Sequence, residues 1–502
     1  MLYRGLSILS ITSLLTIYLI FLREESPGAS LLSYPFSSRT RPTPVDILST
    51  LSITPPGHQQ YAWTEGDGST SEFLTLGTPA HFIPFDDNQI IDVVTGQKLQ
   101  GPTDGSTFNL GVLKLPRGSK WGFVGVARGP GRKRDLVMVN GYPSKEQVLI
   151  AFGLNITSEG KLHIVTPAQT IDIPMGPKQG CVPTKQFVGT YGAEDPRLFW
   201  TDAGTPGLVM ARYTDALDTC RSLGFIPDLR DKFAPLADAL AVGEGVVDYN
   251  AIPKVPGASN NLELIRLQGQ ANVEKNWVGF YPGAFADGVS LHPHVQYSFA
   301  PSLTLAPVDI NARRILYNDI VPSPDLDTSE CVSNAHFSWE KRKIHQASPL
   351  YRLTLCDRGP NCIAGVENTV LFGMAHTQKA PRHYGKFIAT FNVSAPHNVI
   401  SVGPRFQMTG LNDDQVNYVL TMAPIQESDL DPMVEPKQLL QPHLPSHFFL
   451  DDKMLITLGH EDKKMVNVMT TVREALGRQK ICQRPIIDAS LTSEFEAALG
   501  HQ

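Results

Sequence analysis

Short apolar runs of strand length, closed at each end by turn-forming residues, recur along most of this chain. They include Trp121-Gly-Phe-Val-Gly-Val-Ala127, Leu136-Val-Met-Val139, Gln147-Val-Leu-Ile-Ala-Phe152, Leu208-Val-Met-Ala-Arg-Tyr213, Thr369-Val-Leu-Phe-Gly-Met-Ala375, Lys386-Phe-Ile-Ala-Thr-Phe391 and Met454-Leu-Ile-Thr-Leu458. Each has strand length and is rich in β-branched or aromatic residues, so each predicts a strand. Apolar spacing with a 3.6-residue period is scarce. It predicts short helices only near Arg473–Lys480 and Ser493–Leu499. Strands do not alternate regularly with helices, which argues against a doubly wound sheet. The 39 prolines and 41 glycines fit a chain of many turns.

The N-terminus has a different pattern. Residues 5–22, GLSILSITSLLTIYLIFL, form an uncharged, mostly apolar run of roughly 18 residues, near the lower limit for a membrane-spanning helix. Arg4 precedes it and Arg23-Glu24-Glu25 follow it, so the positive-inside bias favours a cytoplasmic tail at 1–4 and a lumenal body. The competing reading is a cleaved signal peptide, but no clear small-x-small site follows directly. A short span suits a thin early-secretory bilayer. Residues 23–56 are rich in Ser, Pro and Thr and read as an extended stem, leaving 57–502 as one lumenal domain. Two sequons, at Asn155 and Asn392, agree with a lumenal body as glycosylation sites. So does the even number of cysteines, 6 in all, with Cys356 and Cys362 spaced to close a small loop. The formal net charge is −6 and there is no basic block, which argues against nucleic acid as a partner.

The densest chemistry lies in Tyr191-Gly-Ala-Glu-Asp-Pro-Arg-Leu-Phe-Trp200, where two carboxylates and a guanidinium adjoin. Pro196 lacks a ladder donor, so this piece is expected at a strand entrance, not within a sheet. A carboxylate held beside fixed positive charge is what acid–base chemistry on sugars requires. An Asp-Pro turn with a surface salt bridge is the bland alternative. Other polar stations, at Arg128, Lys275-Asn276-Trp277, His376 and Asp462, fall roughly 70–100 residues apart along the chain. Five stations predict five blades, each delivering a polar residue to a common centre, although no internal sequence repeat is visible.

Glu194-Asp195-Pro196-Arg197 resembles the E-D-P-R motif of the β-mannoside phosphorylases and hydrolases of glycoside hydrolase family 130, and of the related β-1,2-mannosyltransferases of fungi and protists. Further segments agree in order. Asn109-Leu-Gly111 with Arg128 resembles the first-blade N-x-G…R, and Glu274-Lys275-Asn276-Trp277-Val278 the third-blade E-K-N-W. Gly373-Met-Ala-His376-Thr377 with Tyr384 resembles the fourth-blade H…Y pair, and Gly459-His-Glu-Asp462 the last-blade G-x-x-D. Together they span about residues 80–475. The resemblance implies an all-β fold, a five-bladed β-propeller, here behind an N-terminal transmembrane anchor and stem. With the anchor, the fungal β-1,2-mannosyltransferases match best, and these are single-pass type II proteins of the Golgi membrane.

The resemblance further implies an inverting transfer of mannose from GDP-mannose to a glycan or glycolipid acceptor, with no cofactor or metal. Asp195 is the implied catalytic carboxylate. It would take a proton from the acceptor hydroxyl, with Glu194 and Arg197 tuning it. Arg128, Arg197 and Lys275 would meet the donor phosphates. Asn109, Glu194, Asn276, Trp277, His376, Tyr384 and Asp462 would bind sugar. Lys379, Arg382 and His383 are further basic residues within reach of a donor. The ordinary readings are a core aromatic for Trp277, a turn cap for Asn276, a structural histidine for His376, surface charges for Arg128 and Lys275, and a solvated loop for Asp462.

Three other functions compete. One is β-mannoside phosphorolysis or hydrolysis using the same Asp195. Another is a metal-dependent transferase using Asp325-Leu-Asp327 or Asp429-Leu-Asp431, whose carboxylates are the oxygen ligands Mg²⁺ or Mn²⁺ prefers. The last is a propeller lectin. Two departures from the family stand out. Gly279-Phe-Tyr-Pro replaces a short strand, and Asp325–Ala347 reads as an insertion.

Overall fold

A computed structural model describes residues 74–99, 106–131, 138–139, 142–143, 145–173, 190–201, 204–213, 221–240, 277–282, 294–299, 304–309, 314–315, 321–322, 344–379, 383–394, 397–412, 415–437, 444–477 and 479–482. The expected tail, anchor and stem (1–56), Lys275, Asn276, Arg382, Cys181, Cys220, Cys331, Asp325, Asp327 and the helix expected at Ser493–Leu499 lie outside the described residues. The chain divides into two compact units, Met1–Thr43 and Pro44–Gln502, and everything described belongs to the second. Among the described residues no helix is long and apolar enough to cross a membrane.

The described chain is mostly β. The first sheet contains β1 (Phe108–Lys114), β2 (Phe123–Arg128) and β3 (Leu149–Ile156), all antiparallel. In the second, β4 (Thr190–Trp200), β5 (Pro206–Tyr213) and β6 (Arg221–Ile226) follow one another, and Lys145–Gln147 lies parallel to β4. The third holds β7 (Val278–Phe280), β8 (His294–Ser298) and β9 (Thr304–Asp309). The fourth is built on β10 (Ile344–Gln346), β11 (Tyr351–Thr354), β12 (Thr369–Lys379), β13 (His383–Asn392) and β14 (Val399–Val402). In the fifth, β15 (Asn417–Ile425), β16 (Lys453–His460) and β17 (Lys464–Thr471) are joined by the N-terminal strand His81–Ile83, so early and late parts of the chain share one sheet.

Strands fall on the described apolar runs that predicted them, Leu136 and Val137 lying outside the described residues, and the short helix Val472–Ala475 overlaps the predicted one. Successive sheets bury their faces against each other. Val124 and Leu149 of the first sheet meet Leu198 and Met210 of the second. Phe280 and Leu305 of the third meet Phe387 and Phe391 of the fourth. Phe372 of the fourth meets Ile456 of the fifth, and Leu455 of the fifth meets Leu110 and Phe152 of the first. This face-to-face succession is propeller-like. It explains why the strands are apolar throughout rather than alternating: neither face sees water. Each fully buried Phe, Leu or Ile contributes about 1.5–3 kcal/mol relative to exposure.

Three sequence expectations need correction. Blade-sized sheets of four or five strands number four among the described residues, while the remaining large sheet has nine strands, so the count differs from the expected five like blades. The segment around Gly279 is a strand after all: a Cβ at Gly279 would lie 2.4 Å from the Phe199 ring, and its absence lets β7 close onto β4. Ile344–Gln346, taken as the end of an insertion, is a strand paired with β12.

Cys356 and Cys362 form a disulfide, and no described cysteine is free. His397 lies buried at φ 57° between β13 and β14. Its Nδ1–H donates to the Asn392 carbonyl at 3.1 Å, and its ring meets His294 and Phe280 of the third sheet at 5.6 and 5.7 Å. Burial drives its pKa down to about 4, so the native ring stays neutral while the unfolded ring titrates near 6.5. The stabilisation from a neutral native His397 is therefore complete above pH 6.5 and is lost as pH falls from 6.5 towards about 4, by up to about 3 kcal/mol. His397→Asn, which tolerates the positive φ, is expected to flatten the fall in melting temperature across that window; an unchanged slope would exclude His397 as its source.

Candidate active site

The inner strands β1, β4 and β15 pack on one another. At the N-terminal end of β1 and in the middle of β4 the pairing with the next strand slips: the register shifts between Phe108 and Gly111, and between Glu194 and Arg197. At each slip one residue takes a left-handed conformation, Asn109 and Asp195, both at φ 55°. Asn and Asp are the non-glycine residues that tolerate this region, and such strain gathers at functional sites. The sequence expectation for Pro196 is corrected here. It lies inside β4, at the bulge, where its missing N–H breaks no ladder bond.

The two bulges face each other. The Asn109 Nδ2–H donates to the Asp195 carboxylate at 2.7 Å. Two glycines permit this approach. A Cβ at Gly111 would lie 2.6 Å from the Pro196 carbonyl, and one at Gly459 would lie 1.8 Å from Asn109 Oδ1. N-x-G and G-x-x-D are thus joined physically, because the glycine of each leaves room for a polar partner. Asp195 is 9% exposed, so its carboxylate is largely shielded from water.

Glu194 is also buried. It accepts from the Tyr213 hydroxyl at 2.9 Å and pairs with Arg128 Nη1 at 2.8 Å. Arg128 also donates through Nε to Gln147 Oε1 at 2.8 Å, and its guanidinium covers the Phe108 ring at 4.9 Å. Its side chain remains 22% exposed, so it is half-buried and anchored, not a mobile surface charge.

Arg197 is 0% exposed. Its Nε donates to the Ala347 carbonyl at 2.8 Å, Nη1 to the Asp195 carbonyl at 3.2 Å, and Nη2 to the Tyr418 hydroxyl at 2.5 Å. The guanidinium therefore ties β4 to the fourth and fifth sheets from inside the core and props the backbone of Asp195. Tyr418 stacks edgewise with His376 and Tyr384, each at 5.3 Å, while His376 and Tyr384 lie 4.8 Å apart. Burial raises the Tyr418 pKa first of all; the Arg197 charge opposes this and the Asp195 charge adds to it. Its hydroxyl stays protonated.

Other expected residues fall at different distances from this centre. Trp277 is buried at the start of β7 in a core setting. Asp462 is half-exposed at φ 52° in the β16–β17 turn, three residues past Gly459. Lys379 and His383 pair at the tip of the β12–β13 hairpin. At the sequons, Asn155 Oδ1 accepts from Gly122 N–H at 2.8 Å, and Asn392 Oδ1 from Ser394 N–H at 3.1 Å. Asp429 accepts from Gln426 N–H and pairs with Lys114, and Asp431 accepts from Met433 N–H, so that D-x-D is spent on a turn. Among the described residues no cluster of three or more His, Cys, Asp or Glu side chains is arranged to hold a metal.

Sequence reasoning missed Tyr418, Tyr213, Gln147 and Lys386. Lys386 is buried opposite His376 in the β12–β13 pairing, with Nζ donating to the Tyr384 carbonyl at 3.1 Å. A lysine within β13, at the head of its apolar run, was a legible signal, whereas the two tyrosines look like ordinary strand residues.

No family model matches the chain, and no curated protein matches it significantly. Similar solved structures include a glycosyl hydrolase from Bacteroides ovatus, at 11% identity and TM-score 0.38, covering 85% of this chain and 99% of that one. The β-1,2-mannobiose phosphorylase of Listeria innocua is 11% identical at TM-score 0.37, over 75% and 94% of the two chains. MPT-1, a GDP-Man-dependent mannosyltransferase from Leishmania mexicana, is 10% identical at TM-score 0.36, over 80% and 91%.

Proposed function

We propose that this chain is an inverting mannosyltransferase of the group related to glycoside hydrolase family 130, with Asp195 as its general base. The observation that carries this reading is the Asp195 carboxylate, held on a left-handed bulge by Asn109 and shielded from water beside the Glu194–Arg128 pair. A base must be fixed within hydrogen-bond reach of the proton it removes, and a bulge stabilised from three sides fixes it. In this reaction an acceptor hydroxyl oxygen bonds to the anomeric carbon while the bond from that carbon to the donor phosphate breaks. The electron pair leaves with GDP, and the hydroxyl proton goes to Asp195. Arg128, already oriented by Gln147 and Glu194, is the described cation best placed to steady the leaving phosphate, with Lys275 as its companion. The product is a β-1,2-linked mannoside on a glycan or glycolipid.

Within this reading β10–β14 of the nine-stranded sheet form the fourth of five propeller blades. Residues 5–22 anchor the protein as a type II protein of the Golgi membrane, with 57–502 in the lumen. The test offers the full-length chain, in detergent-solubilised membranes, GDP-mannose and short mannosides with chelator present. A β-mannosylated product supports the transferase. The same Asp195 serves a phosphorylase running the atoms in reverse, so mannose 1-phosphate from a β-mannoside plus phosphate, with no transfer, would replace this reading by that one. Saccharide binding without turnover would leave a lectin.

A further inference from the structure

Two glutamines stand out in the wall between the third and fourth sheets. Gln296 is 1% exposed and Gln346 is 3% exposed. Neither carboxamide has a hydrogen-bond partner: the Nε2 and Oε1 atoms of both are buried and unpaired. Buried polar side chains nearly always find a partner, and an unpaired amide costs free energy that a folded core rarely carries without a reason. Two such side chains on adjoining strands call for a common explanation.

Their placement points to the catalytic end of the sheets. Gln296 lies opposite Val278, the residue after Trp277. Gln346 lies opposite Ala375, beside His376, and precedes Ala347, whose carbonyl receives Arg197. β8 packs against β10. A bridge between Phe280 of β7 and Leu350, just before β11, also joins the third and fourth sheets. Gly373 makes room for Gln346: a Cβ there would lie 2.3 Å from its Nε2.

We infer that Gln296 and Gln346 form a hydroxyl-binding subsite for the sugar substrate, an inference that rests on the saccharide chemistry proposed above. A carboxamide offers two donors and an acceptor on one rigid plane. Neighbouring ring hydroxyls each donate and accept, so a pyranoside satisfies both kinds of orphan atom at once. A carboxamide also binds without charge, which suits a neutral sugar ring.

The test compares Gln296→Leu and Gln346→Leu with the wild type in the full-length chain, measuring melting temperature and, by calorimetric titration, binding of methyl β-mannoside and of GDP-mannose. Leucine matches the volume and removes the unpaired atoms, so the melting temperature is expected to hold or rise. Affinity for at least one of the two saccharide probes is expected to weaken about tenfold per variant. Unchanged affinity with a raised melting temperature overturns the subsite and assigns the glutamines to buried water. A lowered melting temperature with unchanged affinity overturns it too, making them structural. A wild type that binds neither probe refutes the saccharide reading and the subsite with it, an outcome separable from a wild type that binds while the variants bind equally well.

Discussion

Asp195→Asn is expected to reduce turnover about 1,000-fold while leaving the fold intact. Asparagine is the near-isosteric replacement that best tolerates φ 55°, so the bulge in β4 keeps its shape. Its carboxamide oxygen still accepts from Asn109 Nδ2, so the link between the first and second sheets survives. What is lost is the ability to take a proton, because an amide is no base at neutral pH. Melting temperature and substrate affinity should therefore stay near wild type while kcat collapses. Asp195→Ala is a poorer test. It forces a Cβ-bearing residue without a local polar side chain into the left-handed region, at a cost of about 1–2 kcal/mol, and it strands the Asn109 amide. Full activity in Asp195→Asn would remove Asp195 from the chemistry and return the E-D-P-R segment to a structural turn.

Much of the fold was legible because strands buried on both faces leave continuous apolar runs, and the runs at Leu208–Tyr213 and Met454–Leu458 needed no further information. What stayed hidden was pairing across long separations. Leu74–Leu76 joins the nine-stranded sheet beside Phe406–Met408, and His81–Ile83 joins β17. Neither partnership leaves a local mark in the sequence. The site was legible where polar residues interrupt apolar strands, as with Asn109, Asp195 and His376. The direction in which each group acts was not, because a bulge reverses the alternation on which inward and outward assignments depend. Gln296 and Gln346 were invisible for a related reason: a lone glutamine in a short strand reads as an outward-facing residue until its burial is known.

Arg197 shows the same limit most sharply, and its replacement has the second large expected effect. The sequence places a guanidinium two residues from the Asp195 carboxylate, which invites an anion contact. The structure gives all three of its nitrogens to the protein interior, on the Ala347 carbonyl, the Asp195 carbonyl and the Tyr418 hydroxyl. Arg197→Lys keeps the charge but replaces a planar fork with a single ammonium on a flexible stem, which cannot span acceptors on three sheets. At least two buried groups then lose their donor, for an expected loss of about 3–5 kcal/mol and a melting temperature lower by about 4 °C. Because one of those bonds props the Asp195 backbone, kcat should fall with it, while the KM for GDP-mannose changes little. An arginine that grips the donor phosphate would give the opposite split: a raised donor KM with an unchanged melting temperature. Tyr418→Phe separates the two further. It removes only the Nη2 contact and should reproduce a fraction of the stability loss, about 1–2 kcal/mol. If Arg197→Lys melts like the wild type and fails only in donor binding, the buried tie seen here is not what the residue is for, and the donor phosphates must reach deeper between β4 and β15 than the bulge geometry implies.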